Sequence, residues 1–234
     1  MLEELRLKPD LRTCGEMACG SLHQLQNFRL GSRVLEVAGR IRGFGPLLLH
    51  TLPTVITHNF DPDRGLLQNI CCLPSEDAER IIASIRSGGH AYLKANYLAR
   101  RLRTEDWLIA ERNRKIGKTQ LARPLYFFLG DMANGWDKSR PASIVLPLAL
   151  FDVDAITFTF PDSMESCPAN NPADGSGNPW HGRVFTFAEI TEMVARYGFP
   201  DPALPRERRG PNAFIEVQVW DDRPLIEIRR HYAA

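Results

Sequence analysis

The sequence predicts one domain of α/β or α+β class, and three features carry that expectation. Helical apolar spacing occupies residues 75–113, short strand-like runs dominate from residue 124 onward, and no linker divides the two regions. A chain of 234 residues is long enough for one well-buried core. The reading is therefore a single domain over 1–234, with 1–33 a polar lead-in and 34–234 a core that carries long loops at 161–182 and 200–212.

The elements follow in order. Leu47–Thr51 reads as a strand, Val55–Phe60 as a turn or short helix, and Asp61–Gly65 as a turn. Pro74 and Ser75 open a helix, Ile81, Ile82 and Ile85 line one of its faces, and Gly88 and Gly89 stop it. A longer helical region covers residues 90–113, with Thr104–Asp106 as a cap dividing it in two. Pro124–Leu129, Ser143–Leu150 and Ala155–Phe160 are strands. The segment 161–182 holds four prolines, three glycines and three asparagines, which makes it a loop, and loops of that length are mobile or functional. Thr186 and Glu189 form a capping box that opens a helix running to Gly198. Phe214–Trp220 is the clearest strand, and Pro224–Arg229 reads as its neighbour.

Composition excludes several classes. Apolar residues make up 44% and charged residues 24%, which suits a folded chain rather than a disordered one. The cysteines are odd in number and lack framework spacing, which fits a reducing compartment. The acidic start MLEELRLKPDL is unlike a signal peptide, and no apolar run is long enough for a membrane span. A cytoplasmic location is expected, in the native cell or in a target cell.

The strand NAFIEVQVWDD carries the main functional signal. Ile215, Val217 and Val219 make one β-branched face, whereas Phe214, Glu216, Gln218 and Trp220 make the other. Large aromatics flanking a carboxylate and an amide are what a ligand cleft presents. A half-exposed strand with wet Glu and Gln is the plain alternative. A second signal is charge. Residues 94–123 hold nine basic side chains against three acidic ones, a surplus of six on a chain whose formal net charge is +1. Arg100, Arg101, Arg103, Arg112 and Lys115 in that segment are candidate contacts to a phosphate-bearing partner, with a solvated helix face as the alternative. Gly117, Lys118 and Thr119 spell the end of a P-loop, but Arg112 stands where its first glycine belongs, so a P-loop is rejected. Cys14, Cys19 and His23 supply only three ligands at non-standard spacing, and no metal is expected.

Three pieces, LLLHTLPTVITHNFDPDRGLL, ARPLYFFLG and FIEVQVWDDRPL, occur in an order that resembles the ADP-ribosyltransferase superfamily. The resemblance is to the divergent bacterial branches that include DNA-modifying toxins, and it covers about 180 residues, from about 47 to 228. It implies an α+β fold with a mixed, split β-sheet and with N-terminal and inserted helices. It implies a glycosyltransferase that consumes NAD as substrate and moves ADP-ribose to a macromolecular acceptor, DNA or RNA being the candidates given the basic segment. On this analogy His50 is the first-strand residue that holds the nicotinamide-side ribose, and His58, placed in the presumed turn, is its rival. Tyr126 stacks on nicotinamide and Glu216 is the catalytic carboxylate; Arg123, from the basic segment just before Tyr126, is the candidate pyrophosphate contact, and Gln218 is a candidate substrate or nucleic-acid contact. Many members carry Glu or Gln two residues before the catalytic Glu, where this chain has Phe214, and the Ser-Thr-Ser triplet of many toxins is absent. The toxin branches add an inhibitory protein as a candidate partner; no membrane partner is expected.

Two other readings stand beside this one. The chain is a non-catalytic module that binds nucleic acid or protein through residues 94–123, or it is a metal-dependent nuclease or hydrolase in which Asp152, Asp154 and Glu216 meet.

Overall fold

The computed structural model describes residues 52–89, 93–133, 139–172, 180–200 and 214–233. Five strands run through them: β1 Val55–Phe60, β2 Leu125–Leu129, β3 Ala142–Pro147, β4 Ile156–Thr159 and β5 Glu216–Val219. Five helices accompany the strands among the described residues: α1 Ser75–Ser87, α2 Tyr97–Lys115, the one-turn α3 Ser163–Ser166, α4 Phe187–Tyr197 and α5 Ile226–Ala233. The strands form one sheet in the order β3-β1-β2-β5-β4, and every pairing is antiparallel. The class is α+β, but the described strands make a continuous antiparallel sheet rather than a mixed, split one. None of the described helices is long and apolar enough to cross a membrane.

Strand alternation sorts the sheet into two unlike faces. One face is apolar: Ile56, Phe60, Phe127, Leu129, Leu146, Ile156, Phe158, Val217 and Val219 join a single buried cluster. Ile190, Met193 and Val194 of α4 and Ile228 of α5 close over it. Burying a side chain of this size contributes about 1.5–3 kcal/mol each, so this layer holds the domain together. The other face is polar yet equally inaccessible. Thr57, Asn59, Thr157, Thr159, Glu216 and Gln218 are all buried there; α2 and α3 lie over its Tyr126 and Glu216 end, while the segment after β2 meets Thr57 and Asn59 through Gly130 and Met132.

Three local expectations are corrected. Val55–Phe60 is a strand, not a turn: β-branched Val55, Ile56 and Thr57 favour extended backbone, and pairing with β2 and β3 satisfies both edges. The helical region 90–113 is not divided at Thr104–Asp106, because the Thr104 hydroxyl donates back to the Arg100 carbonyl at 2.9 Å and α2 continues through it. Pro224–Arg229 is not a strand beside β5. Arg223–Leu225 makes a 3-10 turn that leads into α5. Leu225, Ile228 and Tyr232, spaced three and four apart, reach the apolar cluster, and an Arg229–Asp222 ion pair ties the turn to the helix.

Other expectations agree. Gly88 caps α1 and Gly89 follows with φ +64°, the left-handed conformation that favours glycine. Thr186 and Glu189 cap each other reciprocally at the start of α4. Residues 1–51, and with them the 1–33 lead-in, Cys14, Cys19, His23, the strand Leu47–Thr51 and His50, lie outside the described residues, as does most of the loop 200–212.

Candidate active site

The polar sheet face is organised by one chain of hydrogen bonds. Just past β5, Trp220 donates its indole N–H to the Thr157 hydroxyl at 2.8 Å. That hydroxyl therefore donates onward, to Gln218 Oε1 at 3.0 Å. The Gln218 amide nitrogen is thereby turned the other way, toward Thr159 Oγ1 and Glu216 Oε1, each at 3.0 Å. Gln218 thus holds Glu216 rather than a ligand. A second donor comes from the loop after β4: the Ser163 backbone N–H reaches Glu216 Oε1 at 3.3 Å. The Glu216 backbone N–H donates to the Pro161 carbonyl at 3.1 Å, so residues 161–163 wrap around the head of β5.

Above this face lies α2, and it presents charge inward. Arg101, Glu105, Leu108 and Arg112 are all buried on it, at the spacing of one helical face. The Arg101 guanidinium sits 3.8 Å from the centroid of the Tyr126 ring and donates to Ser163 Oγ at 3.1 Å. Burial works against its charge, but Tyr126, Glu216, Tyr97 and Glu105 more than offset that and raise its pKa. Glu105, fully buried, accepts from Tyr126 Oη at 2.9 Å, Asn69 Nδ2 at 2.8 Å and Arg123 at 2.7 Å. Burial, with the nearby Glu105 and Glu216 charges, pushes the Tyr126 phenol well above its usual range despite Arg101. Buried charges persist when each has partners, and here the partners converge from α2, β2, β5 and the loop before α1.

Of the residues read from the sequence, Glu216, Gln218, Tyr126, Arg123 and Arg101 therefore share one polar layer. His58 does not. It lies on the apolar face, stacked on Phe60 with centroids 6.0 Å apart. Its Nε2 accepts the Leu67 N–H at 3.1 Å, so Nδ1 carries the proton and donates to the Tyr126 carbonyl at 2.8 Å. Burial, with Arg140 contributing and the Tyr126 bond opposing, lowers its pKa to about 4, and both ring nitrogens are spent on structure.

The basic segment divides between inward and exposed side chains. Arg112 stacks on Trp220 at 4.6 Å and donates to Thr119 Oγ1 and the Leu121 carbonyl. Lys115 reaches both carboxylate oxygens of Glu189 at 2.6 Å, joining α2 to α4. Arg123 is engaged by Glu105 and Arg101 is buried. These side chains face inward, whereas Arg100 is half-buried and Lys94, Arg103, Arg114 and Lys118 are exposed, Arg103 donating to Asn170. Gly117, with φ +84°, follows the C-terminus of α2 instead of opening a helix, consistent with rejecting a P-loop. Asp152 and Asp154 precede β4 near Ala155, at the Trp220 end of β5, whereas Glu216 begins that strand. Among the described residues, no three potential ligands group around a metal position.

Sequence reading missed Glu105, Ser163 and Asp162. An Arg–Glu pair four apart, in phase with Leu98 and Leu108, was the available signal for Glu105. Asp162 is the N-cap of α3, its Oδ1 accepting the Glu165 N–H at 2.8 Å. Burial, followed by the Glu216 charge, raises its pKa to about 6. Searches of family models, curated proteins and solved structures return no match for this chain.

Proposed function

We propose that this chain is an NAD-consuming ADP-ribosyltransferase in which Glu216 is the catalytic carboxylate. The observation that carries the reading is the Glu216 environment. The acid begins an interior strand, is buried at 8% exposure, and is oriented by Gln218 and the Ser163 N–H. Tyr126 lies on the adjoining strand, one pairing step away on the same face, since Phe128 opposes Glu216 and Tyr126 opposes Gln218. That arrangement supports the roles the resemblance implies.

The chemistry needs little else from the chain. Nicotinamide in NAD is a cationic leaving group, and breaking its glycosidic bond builds positive charge on the ribose. A preorganised carboxylate in a water-poor site stabilises that charge more strongly than it would in water. The aromatic face of Tyr126, which already accommodates a guanidinium, suits a cationic ring.

The test is release of nicotinamide from NAD, with single-stranded DNA, RNA and protein offered as acceptors. Glu216→Gln keeps the shape and the hydrogen-bond count but removes the charge. It is expected to lower release by roughly 10²–10³-fold, in line with loss of one electrostatic stabiliser. Unchanged turnover in that variant, with the fold intact, defeats the assignment.

A further inference from the structure

The loop around Glu216 brings a second acid to the site. Pro161 accepts from the Glu216 backbone and Ser163 donates to the Glu216 carboxylate, so Asp162 is held between two residues that both grip the acid. Its Oδ1 is committed to the cap of α3, and its Oδ2 makes no hydrogen bond among the described residues. The charged groups that face it are Glu216 from β5, Glu165 from its own helix and Arg101 from α2. Gln218 and the Ser163 N–H both donate to Glu216 Oε1, so each acid is oriented through one oxygen and keeps the other uncommitted among the described residues.

We propose that Asp162 is the proton acceptor for the attacking group, so that the site works with two carboxylates of different duty. This rests on the NAD reading above. In the step, the bond from the ribose anomeric carbon to nicotinamide breaks and its electron pair leaves with the ring, which departs neutral. The acceptor's lone pair forms the new bond to that carbon, and its proton passes to Asp162. Such a division requires an acceptor that carries a removable proton, a hydroxyl or a nucleobase N–H. A terminal phosphate, already anionic, needs no base and is repelled by two neighbouring acids. The raised pKa of Asp162 suits a base that works close to neutrality.

The experiment follows nicotinamide release from NAD between pH 4.5 and 8.5, with water alone and with mixed-sequence single-stranded DNA carrying either a terminal hydroxyl or a terminal phosphate. Asp162→Asn and Asp162→Ser both keep an N-cap acceptor for the Glu165 N–H, so that folding is preserved by either route. Wild type is expected to rise with pH through an inflection near 6 and then level. Both variants are expected to lose that limb and to fall about 10²–10⁴-fold at neutral pH, as for loss of a general base. Glu216→Gln is expected to lose release at every pH. An unchanged rate and limb in both Asp162 variants overturns this role and leaves the NAD reading standing. Transfer confined to the terminal phosphate overturns it as well. Absence of release by the wild type overturns both.

Discussion

Arg101 lies over Tyr126, its guanidinium carbon 3.8 Å from the ring centroid, while the phenol below donates to Glu105. One cation is thereby shared by an aromatic ring and by two buried acids, Glu105 and Glu216. The sheet face tolerates buried carboxylates because α2 places this arginine among them. A cationic nicotinamide stacking on Tyr126 would take the place this guanidinium holds, so Arg101 bears on both stability and access.

Arg101→Met is expected to destabilise the fold by about 3–5 kcal/mol, because it leaves buried acids without their cation. Arg101→Lys keeps the charge but loses the planar fork that spans Ser163 and the ring, and is expected to recover part of that. Urea unfolding of the two variants measures both. Equal stability of Arg101→Met and wild type removes the electrostatic account of this layer.

His58 gives the fold a pH dependence. Its pKa is lowered from 6.5 to about 4 by burial, so the unfolded chain binds a proton before the native one does. The stabilising contribution is complete above 6.5 and is lost as pH falls from 6.5 toward 4, to a total of roughly 3 kcal/mol at ~1.4 kcal/mol per unit. Asp162 acts in the opposite sense, since its raised pKa favours the protonated native state as pH falls through about 6. The wild-type curve alone therefore mixes the two. His58→Gln can still donate to Tyr126 and accept from Leu67 without titrating, and the difference between its unfolding free energy and that of wild type isolates the histidine. Parallel curves from pH 7 to 5 would show that His58 titrates normally.

Local signals made much of this fold readable. The capping box at Thr186 and Glu189, the glycine stop of α1 and the alternation in β5 depend on residues within a few positions of one another. Glu216 stood out because its face mixes carboxylate, amide and aromatics, which is a property of one strand. Val55–Phe60 was misread because its stability comes from distant β2 and β3, and Asp162 was missed because a proline-rich loop gives no hint that it folds around a strand end. The inward charge of α2 was hidden for a related reason. Arg101 and Glu105 on a helix look like a solvent-facing ion pair until a polar sheet face lies opposite them.

The link between α2 and α4 is measurable on its own. Lys115 holds Glu189 while Glu189 also completes the cap of Thr186. Thr186→Ala is expected to cost about 0.5–2 kcal/mol through the lost cap. A double-mutant cycle between Lys115→Met and Glu189→Gln is expected to show a coupling of up to about 1 kcal/mol, the range for a partly exposed pair. Zero coupling would make the contact incidental to how the helices dock.

The same geometry decides what residues 94–123 do with a polyanion. Arg112 is spent internally on Trp220, Thr119 and Leu121, whereas Arg103 projects from α2 with a single bond to Asn170. Arg112→Ala is therefore expected to lower unfolding free energy by about 2–4 kcal/mol, from lost buried bonds and stacking, while leaving the salt dependence of any DNA binding unchanged. Arg103→Ala is expected to leave stability within about 0.5 kcal/mol. If Arg103 touches phosphate, its loss should reduce the slope of log affinity against log salt by close to one. Binding to single-stranded DNA by fluorescence anisotropy, from 50 to 200 mM salt, reads both outcomes. A slope that drops with Arg112→Ala in a still-folded protein would mean that this arginine turns outward to meet the nucleic acid.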